Sequence, residues 1–235
     1  ATGEYRILGP GGFNSGWIAL DGAGDVAWDS SNATQEGVHT VNIRATDASA
    51  ANNVADPAGD EGSFTLTDAT APNIAIDSVT ATGDPDLGDL ISIQTTLTDW
   101  AGIALGEYRV MGSGYDSGWV ALDGAGDASW DSSAALAEGV HQVSIRATDL
   151  AAGSNVNTLT NTTSFSLTDN TIPNIVVDSI TASGDPEQSD LISIQTTLSD
   201  WAGILSGEYR IQGPSAYDSG WLALDGAGDA SLIVH

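Results

Sequence analysis

The sequence predicts an all-β protein built from tandem antiparallel β-sandwich domains, each about 100 residues long. The tetrapeptide Gly-Glu-Tyr-Arg occurs three times at nearly equal spacing, at residues 3–6, 106–109 and 207–210. Within each repeat, apolar and polar side chains alternate with a period of two, which is typical of strands with one buried face. No window shows the periodicity of an amphipathic helix.

Two similar linkers, at residues 66–72 and 167–173, set the frame of the repeat, and each ends in proline. Proline fixes its own backbone torsion and pushes the preceding residue to extended geometry, which suits a short joint between domains. We therefore predict one complete repeat over residues 71–171. Residues 1–70 match only its later part, and residues 172–235 match only its earlier part.

The elements follow in the same order in each repeat. The first strand, at residues 3–6, precedes Ser-Gly-Trp at residues 15–17 and the sequence Asp-Gly-Ala-Gly-Asp at residues 21–25. This glycine-rich segment lacks the lysine of a phosphate-binding loop and carries two carboxylates, so we interpret it as a hairpin turn. The next strand covers residues 38–45, and the alanine-rich stretch 48–55 predicts a single turn.

The complete repeat adds an early strand over residues 90–97. Its alternation places Ile91, Ile93, Thr95 and Leu97 on one face and polar residues on the other. Such a strand is buried on one side, as in a two-layer sandwich.

The charge balance excludes several classes of function. The chain of 235 residues has 32 acidic and 5 basic side chains, and its formal net charge is −27. A chain this acidic repels nucleic acids and anionic membrane surfaces, so we expect neither as a partner.

No apolar run approaches the ~20 residues of a membrane-spanning helix. There is no cysteine and no nucleophile with a plausible base, so the sequence predicts a protein that is not an enzyme.

Three segments resemble the bacterial immunoglobulin-like repeats of prokaryotic extracellular surface proteins. They are residues 3–6, residues 15–17, and residues 36–47, which read Glu-Gly-Val-His-Thr-Val-Asn-Ile-Arg-Ala-Thr-Asp. The linker Asp-Ala-Thr-Ala-Pro at residues 68–72 is similar to the joints of such arrays and, loosely, to cadherin linkers. The resemblance implies immunoglobulin-like sandwiches strung end to end, as in stalks, adhesins or envelope components. It implies no catalytic residues.

Clustered carboxylates predict a Ca²⁺ site in each repeat, because this hard cation takes roughly six to eight oxygen ligands. The candidate ligands are Asp84, Asp86, Asp89 and Asp99 in one repeat, and Asp185, Glu187, Asp190 and Asp200 in the next. Asp99 and Asp200 are expected to approach from a neighbouring loop. Two alternatives remain open. Asp-Pro and Gly-Asp also build turns without a ligand, and an ion at Asp68 or Asp169 would instead stiffen a linker.

Other residues fit structural roles or modification. His39 and His141 stand at equivalent positions, and we predict that one ring nitrogen of each bonds to nearby backbone. The tryptophans recur in register, which favours packing within each sandwich over a sugar-binding platform. Asn32 and Asn161 begin Asn-x-Thr sequences and are predicted N-glycosylation sites.

The few basic residues are all arginines at repeated positions. Strand alternation places Glu4 on the outer face of one strand and Arg44 on the outer face of the strand beside it. We therefore predict a cross-strand ion pair, repeated at Arg146 in the complete repeat.

These observations predict a structural extracellular repeat protein, as a segment or subunit of a filament, stalk or surface layer. The alternative is a cell-surface adhesin or carbohydrate-binding module, with its site in the divergent loops 46–64 and 148–165. The partial repeats have two explanations. Either they continue into neighbouring repeats of a longer protein, or the C-terminal strands of one copy complete the N-terminal domain of the next in a head-to-tail homopolymer.

Overall fold

The structure is a computed structural model that describes residues 2–56 and 62–233. It contains strands and short 3₁₀ turns, and no α-helix occurs in these two ranges. The turns lie at Pro10–Gly12, Ser30–Asn32, Ser132–Ala134, Pro186–Gln188 and Pro214–Ala216. The all-β prediction is therefore confirmed for the part of the chain that is described.

The N-terminal repeat forms one five-stranded sheet. Its strands are β1 (Thr2–Leu8), β2 (Ile18–Ala19), β3 (Gly37–Thr46), β4 (Val54–Ala55) and β5 (Gly62–Leu66). They run in the order β2-β1-β3-β4, and β5 also pairs with β3. The predicted turn in the alanine-rich stretch is present. The backbone N–H of Asn52 donates to the Ser49 carbonyl at 3.0 Å, just before β4.

The middle repeat contains two sheets. Its strands are β6 (Asn73–Val79), β7 (Thr82–Gly83), β8 (Leu90–Thr98), β9 (Ile103–Gly112), β10 (Tyr115–Asp116), β11 (Val120–Ala121), β12 (Asp127–Asp131), β13 (Gly139–Asp149) and β14 (Val156–Leu167). One sheet has the order β10-β9-β13-β14-β7, with β11 on β9, and the other has the order β12-β8-β6.

The C-terminal repeat has only part of this arrangement. Its strands are β15 (Asn174–Ile180), β16 (Leu191–Ser199), β17 (Glu208–Tyr209), β18 (Leu222–Ala223) and β19 (Ala230–Ile233). The sheet β15-β16-β19 repeats the sheet β6-β8-β12, whereas β17 and β18 form a separate hairpin.

The hydrophobic core of the middle repeat lies between its two sheets. Ile91 and Ile93 from β8 are fully buried, and so are Val143 and Ile145 from β13. The predicted alternation of β8 is confirmed, because Thr95 on the same face is 4% exposed and donates its hydroxyl to the Gly126 carbonyl. Each fully buried isoleucine or valine contributes about 1.5–3 kcal/mol relative to an exposed one.

Some core positions are much more exposed in the flanking repeats, although Tyr5 and Ile7 of β1 are only 4% and 2% exposed. Ile43, the counterpart of Ile145, is 40% exposed, and Ile175, the counterpart of Ile74, is 68% exposed. Each flanking repeat has one of the two main sheets that face each other in the middle repeat. The core is therefore concentrated in residues 71–171.

Candidate metal centre at a joint between repeats

Three aspartates from different elements meet at the joint between the N-terminal and middle repeats. Asp68 lies in the linker after β5, Asp99 directly follows β8, and Asp149 is the last residue of β13. One carboxylate oxygen from each lies within 4.8 Å of the others. We call these three residues the joint cluster.

Local hydrogen bonds fix the direction of each carboxylate. Asp149 accepts the Asn155 amide N–H at 2.8 Å through one oxygen and the Asn155 side-chain amide at 2.8 Å through the other. Asp99 accepts the Ala101 N–H at 2.8 Å, and Asp68 accepts the Thr70 N–H at 2.9 Å through Oδ1. These short Asx-type turns hold the side chains in place.

One oxygen of the cluster has no partner. Asp68 is only 8% exposed, and its Oδ2 atom is buried without a hydrogen bond. Asp149 is 1% exposed, so two of the three carboxylates are removed from bulk water. A buried carboxylate oxygen without a partner is costly, and a cation at this point would satisfy it.

The electrostatics of the cluster also favour a bound cation. Desolvation by burial raises the pKa of the Asp99 carboxyl, and repulsion from Asp68 and Asp149 raises that pKa further. The arginines that form ion pairs in the described ranges do so with other carboxylates: Glu4, Glu107, Asp116 and Asp218. A hard divalent cation with oxygen ligands fits this donor set, and Ca²⁺ accepts its irregular geometry.

Direct contacts cross the same joint. Glu36 of the N-terminal repeat accepts the Asp68 N–H at 3.1 Å and the Ala152 N–H of the middle repeat at 2.5 Å. The Asn155 side chain of the middle repeat donates to the Asp68 carbonyl at 3.2 Å. The joint cluster therefore lies inside a contact between two repeats.

The predicted loop around Asp84 lies at the other end of the middle repeat from Asp99. Asp89 precedes β8 and Asp99 follows it, so nine strand residues, about 30 Å, separate them. The Asp84 loop is a turn closed by its own hydrogen bonds. The Asp84 N–H donates to Asp89 at 2.9 Å, and the Asp86 N–H donates to Asp84 at 3.1 Å.

The C-terminal copy of this turn has the same internal bonds. The Asp185 N–H donates to Asp190 at 2.8 Å, and the Glu187 N–H donates to Asp185 at 3.0 Å. Strand β16 separates this turn from Asp200, as β8 separates the Asp84 turn from Asp99.

Asp200 meets acidic groups at the second joint. Desolvation raises the pKa of the Asp200 carboxyl, and Asp169 and Asp86 raise it further. Asp86 and Asp200 are thus brought together across a joint between two repeats, rather than within one repeat.

Asp149 is the member of the joint cluster that the sequence reasoning missed. A signal for it exists, because Asp149 and Asn155 recur six residues apart as Asp47 and Asn53. Asp47 makes the same bonds to the Asn53 backbone and side chain as Asp149 makes to Asn155. The same Asp–Asn pair at the end of corresponding strands indicates a loop with a fixed conformation, in which the direction of the Asp carboxylate is set by its Asn partner.

The prediction for the histidines is confirmed. His39 and His141 are fully buried, and the Nδ1 atom of each lies 3.1 Å from the carbonyl oxygen of the glycine two residues earlier. Each ring also stacks on a phenylalanine, Phe64 or Phe165, at centroid distances of 5.4 and 5.5 Å.

The tryptophans fill several roles. Trp130 is a core residue that is 5% exposed. The guanidinium group of Arg44 lies over the Trp17 ring, with its carbon 4.3 Å from the ring centroid. Arg146 lies over the Trp119 ring in the same way, at 4.5 Å. A sugar stacking on that ring face would compete with the arginine. Trp201 packs against the core of the middle repeat.

Both candidate glycosylation residues are exposed. The Asn32 side-chain amide donates to the Asp29 carbonyl at 2.9 Å, whereas the Asn161 side-chain oxygen accepts the Ser144 hydroxyl at 3.1 Å. N-glycosylation at these residues stays a prediction.

No family model matches the chain, and no curated protein matches it. Among solved structures, it is similar to a tetra-tandem repeat in the extending region of a large adhesion protein, with 18% identity and a TM-score of 0.43. A Ca²⁺-stabilised adhesin that helps an Antarctic bacterium bind ice gives 19% identity and a TM-score of 0.30. The alignments cover 98% and 100% of this chain, which spans 57% of each of those chains.

An E. coli alpha-2-macroglobulin also matches, with 14% identity and a TM-score of 0.29 over 100% of this chain and 19% of that one. Identities and TM-scores this low identify no family and indicate no ligand. Within the described residues, no helix is long and apolar enough to cross a membrane.

Proposed function

We propose that the protein is a structural segment of an extracellular surface protein, in which immunoglobulin-like β-sandwich repeats are joined end to end and Ca²⁺ fixes the joints. The observation that carries the proposal is the buried, unpartnered Oδ2 of Asp68 beside Asp99 and Asp149. Asp68 belongs to the linker and the other two belong to the following repeat, so a shared cation would tie the linker to that repeat.

The chemistry of the joint explains why a cation would stiffen it. Without a cation, three carboxylates at close range repel one another and favour an open joint. With Ca²⁺, the oxygens become ligands of one ion, and bending the joint would break those bonds. Calcium sites in extracellular modules have dissociation constants of about 10⁻⁴–10⁻³ M. The formal net charge of −27 is consistent with a solvated, cation-rich surface.

The experiment is calorimetric titration of the metal-stripped chain with CaCl₂. We expect at least one site in the submillimolar to millimolar range, and we expect Asp68→Asn to weaken that site at least tenfold. Asp77→Asn is the matched control, because Asp77 is an exposed aspartate on β6 that bonds only to the Thr96 hydroxyl among the described contacts. Equal binding by wild type and Asp68→Asn would overturn the assignment of the site.

The proposed role is structural rather than enzymatic. Repetition gives the protein length, either through neighbouring repeats of one longer chain or through copies joined head to tail. Exposed apolar side chains in the flanking repeats, such as Ile43 at 40% and Ile175 at 68%, are consistent with either route.

A further inference from the structure

One acidic side chain outside the joint cluster contacts both sides of the first joint. Glu36 lies directly before β3, in the part of the N-terminal repeat that contains β1 to β5 and that we call its body. Its Oε2 accepts the Asp68 N–H at 3.1 Å, and its Oε1 accepts the Ala152 N–H at 2.5 Å. Each carboxylate oxygen therefore holds a backbone donor from a different part of the chain.

The bond to Asp68 extends the sheet of the N-terminal repeat into the linker. Strands β3 and β5 pair antiparallel, and Gly37 opposite Leu66 is the last pair of the ladder before the linker. Beyond this pair, the Glu36 side chain takes the place of a backbone acceptor and holds the Asp68 N–H. The linker residue that carries the unpartnered Oδ2 is thus fixed to the beginning of β3.

The middle repeat holds the other side of the linker. The Asn155 side-chain amide donates to the Asp68 carbonyl at 3.2 Å and to Asp149 at 2.8 Å. The Asn157 side-chain amide donates to the Pro72 carbonyl at 2.8 Å. These bonds, like a cation shared by the joint cluster, connect the linker to the middle repeat and do not reach the body of the N-terminal repeat.

A body that is joined only through its linker could still rotate against the next repeat. One residue, Thr67, separates β5 from Asp68, and its backbone torsions could change the angle between the repeats while a cation stays bound. Within residues 2–56 and 62–233, the bond between Glu36 and Ala152 is the one hydrogen bond that joins this body directly to the middle repeat. Glu36 therefore restricts rotation at the point where the cation does not.

The second joint contains the same glutamate. Glu138 corresponds to Glu36 by repeat position and lies directly before β13. Its Oε1 accepts the N–H of Asp169, the counterpart of Asp68 in the next linker, at 2.5 Å. The bond from this glutamate to the linker aspartate is therefore a property of the repeat rather than of one joint.

We propose that Glu36 is the residue that converts cation binding into a fixed angle between the two repeats. The cation ties Asp68 to the middle repeat, and Glu36 ties both of them to the body of the N-terminal repeat. Glu36 is a positioning residue rather than a ligand, because backbone N–H groups already occupy its two oxygens. This inference rests on the proposed calcium joint.

Two substitutions remove the bond from opposite ends. Glutamine has one acceptor oxygen and an NH₂ group, so Glu36→Gln keeps the size of the side chain but can serve only one of the two N–H groups. Ala152→Pro removes the N–H on the other side. Ala152 is the second residue of a turn closed by the Ser154 N–H and the Ala151 carbonyl at 2.8 Å, a position that favours proline.

The matched control is Ala50→Pro. The Asn52 N–H donates to the Ser49 carbonyl at 3.0 Å, so Ala50 is the second residue of the corresponding turn in the N-terminal repeat. That turn follows β3 whereas Glu36 precedes it, so ten strand residues, about 33 Å, separate the turn from Glu36. The control introduces the same residue into the same kind of turn, away from the joint.

Two measurements separate positioning from ligation. Spin labels at Thr65→Cys and Thr158→Cys, both exposed positions, report the distance across the first joint by pulsed electron–electron double resonance. Calorimetric titration with CaCl₂ reports the affinity. Glu36→Gln and Ala152→Pro should each bind Ca²⁺ within about threefold of wild type, because the candidate ligands are unchanged. In saturating CaCl₂ both should broaden the distance distribution, whereas wild type and Ala50→Pro should keep it narrow.

Narrow distributions in both variants at saturating CaCl₂ would overturn the inference and leave the calcium joint standing. A loss of Ca²⁺ affinity in Glu36→Gln as large as that in Asp68→Asn would also overturn it, since Glu36 would then act as a ligand. A wild type with a broad distribution in CaCl₂ would refute the proposed calcium joint itself, and this inference with it. Because the two variants change opposite ends of one bond, misfolding of one leaves the other to decide.

Discussion

At the scale of single residues, the aspartates of this protein fall into two groups: those that cap exposed turns and those that meet other carboxylates at a joint. Asp123 and Asp225 lie in exposed hairpin turns, where each accepts two backbone N–H groups and the pKa of its carboxyl is lowered by those bonds. Asp99 shows the opposite shift, because desolvation and neighbouring carboxylates raise its pKa. Burial together with a like-charged neighbour therefore separates a candidate ligand from a turn residue.

The raised pKa of Asp99 predicts how the metal-free protein responds to pH. The ordinary pKa of the aspartate carboxyl is 3.8, and the folded protein holds Asp99 above it. Its contribution to stability is complete below that ordinary value and is lost as the pH rises through the folded-state pKa. We therefore expect Asp99 to stabilise the metal-stripped chain more at about pH 4, near its ordinary pKa, than at about pH 7.

Melting curves of wild type and Asp99→Asn at both pH values check this, with Asp77→Asn as the control. Asp99→Asn should reduce the difference between the two pH values, and Asp77→Asn should keep it. A difference between the two pH values that is the same in wild type and in Asp99→Asn would contradict the assignment.

The turn residues and the histidine positions could be predicted from the sequence, because their partners lie within a few residues. Asp21 accepts the Ala23 and Asp25 N–H groups, as the hairpin prediction requires. The joint cluster could be predicted only in part, because its three members are brought together by the docking of two repeats. The sequence indicates Asp68 and Asp99 separately, and no local pattern says that they meet.

At the scale of elements, the outer faces of β1 and β3 show the predicted ion pair. Glu4 and Arg44 are directly opposite in register, with Arg44 Nε donating to Glu4 at 2.7 Å. Glu107 and Arg146 repeat this pair between β9 and β13, at 2.5 Å. Strand alternation and the repeat were sufficient to predict it, because cross-strand neighbours in such sheets share a face.

The Glu107–Arg146 pair is expected to couple the two strands measurably. Arg146→Gln removes both the ion pair and the guanidinium over Trp119, so we expect a small fall in the melting temperature. A double-mutant cycle with Glu107→Gln isolates the pair, and we expect the two substitutions together to cost less than their sum. Strictly additive effects at low salt would show that the pair contributes nothing.

Element boundaries were less predictable than element identity. Residues 115–131 contain three short strands on two different sheets, where the sequence indicates only a Ser-Gly-Trp segment and a turn. Strands β10 and β11 both pair with the preceding strand β9. The placement of β12 depends on a distant strand, since it pairs with β8. Such pairings over long sequence separations leave little trace in local alternation.

At the scale of the whole molecule, repetition made the architecture predictable. Residues 71–171, which we predict to be the complete repeat, carry a core with residues from both of their sheets. The structure adds what fills each joint. At the second joint, the Asp84 turn and Trp201 are in place. At the first joint, Asp68, Asp99 and Trp100 line a cleft of about 330 Å³.

The most direct test of the account is the distance across the first joint, measured with and without Ca²⁺. Spin labels on Thr65→Cys in β5 and Thr158→Cys in β14 would lie on exposed positions in two successive repeats. Pulsed electron–electron double resonance should give one narrow distribution of the distance between the two labels in CaCl₂ and a broad one after chelation. Asp68→Asn in the same labelled chain should give the broad distribution in both conditions. Identical distributions with and without Ca²⁺ in the wild-type background would contradict a joint that is fixed by a cation.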